Sequence, residues 1–175
     1  TRHLVHNSVK AQYIETLKAM VAHVKVGDPA DPTSTMGPLI REVARTRTQN
    51  YVDIALSQGA RLVTGGKRPA GLDKGFFYEP TLFTDVENHH RIAQEEVFGP
   101  VLSVIPFDDE DDAVRIANDI DFGLAAGIWT RDLARGVRMT ERVRAGTIWV
   151  NNYRSTSTTS PFGGFKMSGT GREGG

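Results

Sequence analysis

The sequence lacks cysteine altogether, lacks an excess of either charge and lacks any long apolar run. Without cysteine there is no disulfide framework, no thiolate zinc site and no thiol nucleophile within these residues. Lys and Arg total 21 and Asp and Glu total 21, for a formal net charge of zero. That balance argues against sequence-independent nucleic-acid binding, which needs a basic excess to displace counterions, and against a polybasic membrane-surface module. No stretch approaches the ~18–20 apolar residues that span a bilayer. Thr1-Arg2-His3-Leu4-Val5-His6 has neither the apolar core of a secretory signal nor an initiating Met, which reads as the start of a fragment or a processed chain. Cytoplasm is the default compartment. The 175 residues, 39% hydrophobic and 24% charged, suit one soluble globular domain.

Periodicity supplies the elements. Val9, Tyr13, Ile14, Leu17, Met20, Val21 and Val24 recur at three- and four-residue spacings, which predicts a helix over 8–26, capped by Asn7 or Ser8 and ended by Gly27-Asp28-Pro29. A turn-rich loop follows to Pro38. A second helix over 40–58 carries Val43, Tyr51, Ile54, Ala55 and Leu56, with Gly59 as its C-terminal cap. Ala60–Thr64 reads as a strand, Lys67–Gly75 as exposed loop, and Phe76–Asp85 as extended chain interrupted by Pro80. Strands over 101–107, 124–129 and 147–150 then alternate with helices over 109–118 and 132–143. Such alternation predicts an α/β fold with a parallel sheet, layered by helices on both faces. From Asn152 onward Ser, Thr and Gly dominate without periodicity, as in a loop.

Several motifs reduce to ordinary explanations. Gly169-Thr170-Gly171-Arg172-Glu173-Gly174 fits G-x-G-x-x-G but opens no helix, so it is no dinucleotide fingerprint. Gly65-Gly66-Lys67 is no P-loop, because position 61 is Arg. His89-His90 lacks companion His or Cys residues at ligand spacing and reads as a solvated turn, so no metal site is expected. The acidic run Asp108–Asp112 suits the positive end of the following helix. The five histidines form no Ser/His/Asp arrangement legible from spacing.

Two segments carry more chemistry. In Glu95-Glu96-Val97-Phe98-Gly99-Pro100 a carboxylate stands beside an aromatic ring ahead of a strand, suiting a diol with a flat ring nearby. On residue types alone, an acidic pair ending a helix with Phe98 in the core explains it as well. In Pro161-Phe162-Gly163-Gly164-Phe165-Lys166-Met167-Ser168-Gly169 paired glycines permit close backbone approach, and the aromatics can wall a pocket or simply pack the turn.

Taken in order, the phrases Val26–Pro29, Met36–Ile40, Gly59-Ala60 with Gly65-Gly66, Tyr78–Leu82, Glu95–Pro100, Asn118 with Phe122–Gly127, Gly146–Asn151 and Pro161–Glu173 resemble the C-terminal, catalytic-domain portion of the aldehyde dehydrogenase superfamily. The resemblance implies oxidation of an aldehyde to a carboxylic acid with NAD or NADP. A cysteine thiolate forms a thiohemiacetal and then a thioester, which water hydrolyses with a glutamate as base. Glu96 matches the residue that binds the nicotinamide-ribose hydroxyls, and Phe98 the ring beside that ribose. Phe162 matches an aromatic of the substrate tunnel. Ser155, Thr156, Ser157 and Thr158 occupy the loop that shapes the aldehyde pocket, and their hydroxyls hint at a small or polar aldehyde. Glu173 matches a carboxylate of an internal water network, a secondary role, and Asn151 a residue that positions the active-site loop.

The same resemblance puts the nucleophilic Cys just before the phrase matching Thr1-Arg2, and the general-base Glu and the adenosine-binding fold further upstream. A C-terminal arm would pair with a neighbouring subunit. Residues 1–175 are therefore expected to be a single partial catalytic domain, inactive alone, from a homo-oligomeric dimer or tetramer in the cytoplasm that engages neither nucleic acid nor membrane. The alternative is a truncated, non-catalytic paralogue acting as a structural or interaction module. A nucleotide-binding module without catalysis is the third.

Overall fold

A computed structural model of the chain describes residues 1–174, which fall into two compact units, one over Thr1–Asp108 and one from Asp109 onward. The first is built on a four-stranded sheet in the order β1-β4-β3-β2, from β1 (Arg2–His6), β4 (Val101–Phe107), β3 (Thr81–Thr84) and β2 (Arg61–Thr64). β4 runs parallel to both β1 and β3, and β2 closes the edge antiparallel to β3. β3 is buried along its whole length, as expected of a strand covered on both faces, and Val104 of β4 is wholly buried. Val5, Leu82 and Val104 meet Ile14 of helix α1 (Lys10–Ala22) in one core cluster.

The α/β class with parallel strand pairing is the expected one; several local expectations are corrected. α1 ends at Ala22, before the Gly27-Asp28-Pro29 stop, and His23 Nδ1 lies 2.7 Å from the Ala19 carbonyl at that end. Neither Asn7 nor Ser8 caps it: His6 accepts from the Ser8 amide ahead of a single 3₁₀ turn over Asn7–Val9. Helix α2 (Glu42–Ser57) buries Ala44, Thr48, Val52 and Ala55, while Val43 and Leu56 face solvent. Its inner face is the row of small residues. Gly59 does follow the helix in the left-handed region, at φ 92°. A short helix α3 (Arg91–Gln94), of which the sequence suggested only the end at the acidic pair, joins β3 to the Glu95–Pro100 segment.

The second unit contains α4 (Glu110–Asn118), β5 (Phe122–Gly123), β6 (Ala125–Ile128), α5 (Leu133–Arg142), β7 (Thr147–Val150) and β8 (Phe165–Lys166). β6 and β7 pair in parallel, in a ladder separate from that of β4. Asp109 and Asp132 cap α4 and α5 by accepting the Asp112 and Arg135 amides. Glu110 holds Arg135 and Arg138, joining the two helices by charge. The stretch after Asn152 is not wholly loop. β8 pairs antiparallel with β5, and Phe162 and Glu173 form a lone antiparallel bridge.

Candidate functional site

The small face of α2 explains how the Glu95–Pro100 segment is held. A side chain on Gly99 would collide with Thr48 Oγ1, so only glycine lets this turn lie against the helix. Val97 is buried; the Pro100 carbonyl accepts from the Thr81 amide at 2.8 Å, tying the turn into β3. Glu95 is taken up by scaffold interactions. Arg91 grips it through Nε and Nη2, both at 2.8 Å, and Tyr51 Oη donates to it at 2.6 Å. These bonds, Arg91's first and then Tyr51's, hold the Glu95 carboxyl down to about 2.

With Glu95 engaged and Val97 inside, Glu96 and Phe98 remain at the surface. Glu96 is exposed, and no hydrogen bond or ion pair within the described residues occupies its carboxylate. Phe98 is 72% exposed, which corrects the reading of this ring as core. Its backbone sits at φ 53°, a left-handed conformation that costs a non-glycine residue about 1 kcal/mol or more. Arg47 stacks over the ring at 5.7 Å and donates to the Phe98 carbonyl at 3.4 Å. An exposed aromatic held in an unfavourable backbone conformation beside an open carboxylate is a feature of binding surfaces rather than of cores. The Thr1 end of β1 reaches the same edge. The Thr1 backbone nitrogen lies 3.4 Å from the Val101 carbonyl, at the start of β4.

In the second unit, Asn151 sits at φ 51° and exchanges two hydrogen bonds of 2.9 Å with the Thr130 backbone, locking the ends of β6 and β7 together. Ser155, Thr156, Ser157 and Thr158 are all exposed. The Ser155 carbonyl accepts from Trp149 Nε1 at 2.7 Å, and Ser157 Oγ and Thr159 Oγ1 are 3.0 Å apart. Phe162 is half-buried and exchanges backbone hydrogen bonds of 2.8 Å in both directions with Glu173, whose side chain is exposed. The expected close backbone approach is present. A Cβ on Gly146 would strike the Gly163 carbonyl, and one on Gly163 the Gly171 carbonyl.

Phe162 and Glu173 are thus brought together, and Glu96 and Phe98 share one turn. The sequence reading missed the supports: Tyr51, Arg91 and Arg47 around the turn, and Lys166, whose ammonium donates at 2.7 Å to the Asn118 and Ile120 carbonyls at the end of α4. The i,i+4 spacing of Arg91 and Glu95 was the one legible signal among these. His89-His90 also departs from expectation. His89 is exposed, but His90 is 3% exposed, so the pair is not simply a solvated turn.

Parallel strands fed by helices, with ligand-type side chains on the turn entering a central strand, define an α/β protein of the layered class. The aldehyde dehydrogenase family profile matches residues 1–175, and the chain belongs to that family. It is similar to betaine aldehyde dehydrogenase of Brucella anthropi, 46% identical over 177 residues that take in 100% of this chain and 36% of that protein. Among solved structures it is similar to Mycobacterium tuberculosis aldehyde dehydrogenase complexed with NAD+, with a TM-score of 0.95 and 48% identity over 99% of this chain and 36% of that one. Staphylococcus aureus betaine aldehyde dehydrogenase in complex with NAD+ matches with a TM-score of 0.95 and 39% identity over 98% of this chain and 35% of that one. The chain thus spans about a third of the length of the curated relatives it matches. No helix among the described residues is long and apolar enough to cross a membrane.

Proposed function

We propose that residues 1–175 are part of the catalytic domain of an NAD(P)-dependent aldehyde dehydrogenase whose whole chain oxidises an aldehyde to a carboxylic acid through a cysteine thiohemiacetal and thioester. The observation that carries this is the turn that occupies Glu95 with Arg91 and Tyr51 yet leaves Glu96 open beside the exposed Phe98 ring. An ionised carboxylate accepts two hydroxyl donors well, and an adjacent ring face covers a sugar, so this pair fits the ribose of a nicotinamide cofactor. The complexes of the similar structures with NAD+ support NAD for the parent. When bound, that cofactor supplies the hydride acceptor.

The remaining residues act by holding and shaping. Glu96 fixes the ribose hydroxyls, and Phe98, backed by Arg47, walls that side. Asn151 positions the loop after β7, Ser155, Thr156, Ser157 and Thr158 shape the aldehyde pocket, Phe162 lines the substrate tunnel, and Glu173 belongs to a water network. The nucleophile and general base belong to other parts of the whole protein, so this chain alone is inactive. The hydroxyl-rich, exposed 155–158 loop and the similarity to betaine aldehyde dehydrogenases both favour a polar aldehyde. We further read the parent as a cytoplasmic homo-oligomer, a dimer or tetramer.

The test is Glu96→Gln in the whole protein. Losing one or two charge-assisted bonds of about 1.5–3 kcal/mol that position the ring slows single-turnover hydride transfer roughly tenfold or more. Unchanged transient kinetics overturn the Glu96 assignment. Preference for long apolar aldehydes in a substrate panel overturns the polar substrate, and aldehyde oxidation by residues 1–175 alone overturns the inactivity.

A further inference from the structure

The turn leading into α3 brings three ligand-type side chains together. One donor atom from each of Glu87, His89 and His90 lies within 4.8 Å of the others. Glu87 Oε2 is 3.3 Å from His89 Nδ1, and the two imidazole rings stand edge-on with centroids 4.8 Å apart. Adjacent histidines diverge on a strand or a helix. Here the His90 amide donates to the Glu87 carbonyl at 3.0 Å, closing a turn that folds both rings and the carboxylate to one side. The turn is pinned from outside as well: Arg2 Nη1 donates to Asn88 Oδ1 at 2.8 Å and Gln94 Nε2 to the Asn88 carbonyl at 2.5 Å.

We infer that Glu87, His89 and His90 bind one divalent transition-metal ion of borderline softness, of which Zn2+ is the type. Two imidazole nitrogens and one carboxylate oxygen are the donors such ions take. Metal–ligand bonds of about 2.0–2.2 Å put the donors of a tetrahedral ion roughly 3.4 Å apart, so a spacing of up to 4.8 Å must close by as much as about 1.4 Å. The geometry allows it. His90 is 3% exposed and its Nδ1 accepts from the Glu87 amide at 3.3 Å, so an ion takes Nε2 or displaces that bond, whereas the side chains of Glu87 and His89 are 71% and 73% exposed and can rotate inward. Water fills the remaining coordination. Arg91, the nearest cation in sequence, is engaged by Glu95 rather than by Glu87.

The experiment is a Zn2+ titration of the tag-free 175-residue chain against a competing chromophoric chelator, with thermal melts in parallel. One ion per chain is expected. Glu87→Gln and His89→Ala should each weaken binding about tenfold or more while leaving circular dichroism unchanged, because both side chains lie at the surface. Zn2+ should raise the melting temperature of the parent chain but not of His89→Ala, since an ion held only by the folded state stabilises it. His23→Ala, on a different element, should bind as the parent does. No uptake by the parent chain, or uptake indifferent to both Glu87→Gln and His89→Ala, overturns the site.

Discussion

Lys166 offers a test of how the glycine-rich segment is held, and the substitution is Lys166→Met. The ammonium donates to the carbonyls of Asn118 and Ile120 at 2.7 Å each, satisfying backbone acceptors at the C-terminal end of α4 where the helix leaves them unpaired. Asn118 itself bonds the Arg142 carbonyl and the Arg144 amide, so the same end of α4 also secures the end of α5. Methionine keeps the length of the stem and removes only the charged donor. Hydrogen bonds to a charged group contribute about 1.5–3 kcal/mol each. Two would total about 3–6 kcal/mol, an upper bound, because Lys166 is only partly buried and water re-solvates the freed carbonyls.

The expected loss is therefore about 2–3 kcal/mol. Both tryptophans, Trp129 and Trp149, belong to the second unit, so their fluorescence reports its unfolding directly. With a urea slope of about 2 kcal/mol/M, the midpoint falls by roughly 1 M or more, and Lys166→Arg recovers part of it. A loss below about 0.5 kcal/mol, the range of an ordinary surface substitution, refutes the reasoning.

Acid titration followed by carboxyl NMR should find Glu95 protonating only near about 2. Its folded value lies below the unfolded one, so its pairing stabilises the chain above the ordinary carboxylate range and is lost as pH falls towards 2; Arg91→Ala should move the midpoint upward. Glu110→Gln should lower the thermal midpoint at low ionic strength, because Arg138 and Arg135 lose their shared partner, and the deficit should shrink near 1 M salt, where the Debye length is about 3 Å. Phe98→Ala should change stability by no more than about 0.5 kcal/mol, since the ring is 72% exposed, whereas Phe83→Ala, wholly buried in β3, should cost about 3–5 kcal/mol by urea unfolding.

The strands legible in the sequence were those whose burial dictates composition. Val101–Phe107 and Thr147–Val150 fall where the apolar runs and their flanking turns put them. β1 escaped because Arg2-His3-Leu4-Val5-His6 mixes polar and apolar residues, and only pairing with β4 across a hundred residues makes it a strand. Helix boundaries were nearly right for α2, but of its expected apolar stripe only Ala55 is buried. Large apolar residues mark a core-facing stripe only where the partner surface is distant. Here the Gly99 turn lies directly against Thr48, where a small residue is what fits, while Ala44, Val52 and Ala55 are buried on the same helix and Val43 and Leu56 face solvent.

That arrangement bears on the site. Read as residue types, two glutamates and a phenylalanine before a strand fit a helix end with a core ring as well as they fit a binding turn. The half of that reading concerning the helix end is correct, since Glu95 does close α3. The core half fails because Val97 fills the inward position, leaving Phe98 outside with a backbone conformation no packing gain explains. Nothing local to Glu95–Pro100 encodes which glutamate is structural. The division is made by Tyr51 and Arg91, one of them 44 residues away, which consume the first carboxylate and leave the second open. A site of this kind is written in the sequence as a short phrase but specified by its scaffold. The informative substitutions are accordingly those that leave the phrase intact: Tyr51→Phe should remove one of the three bonds on Glu95 and raise its midpoint in carboxyl NMR by less than Arg91→Ala does, without touching Glu96 or Phe98.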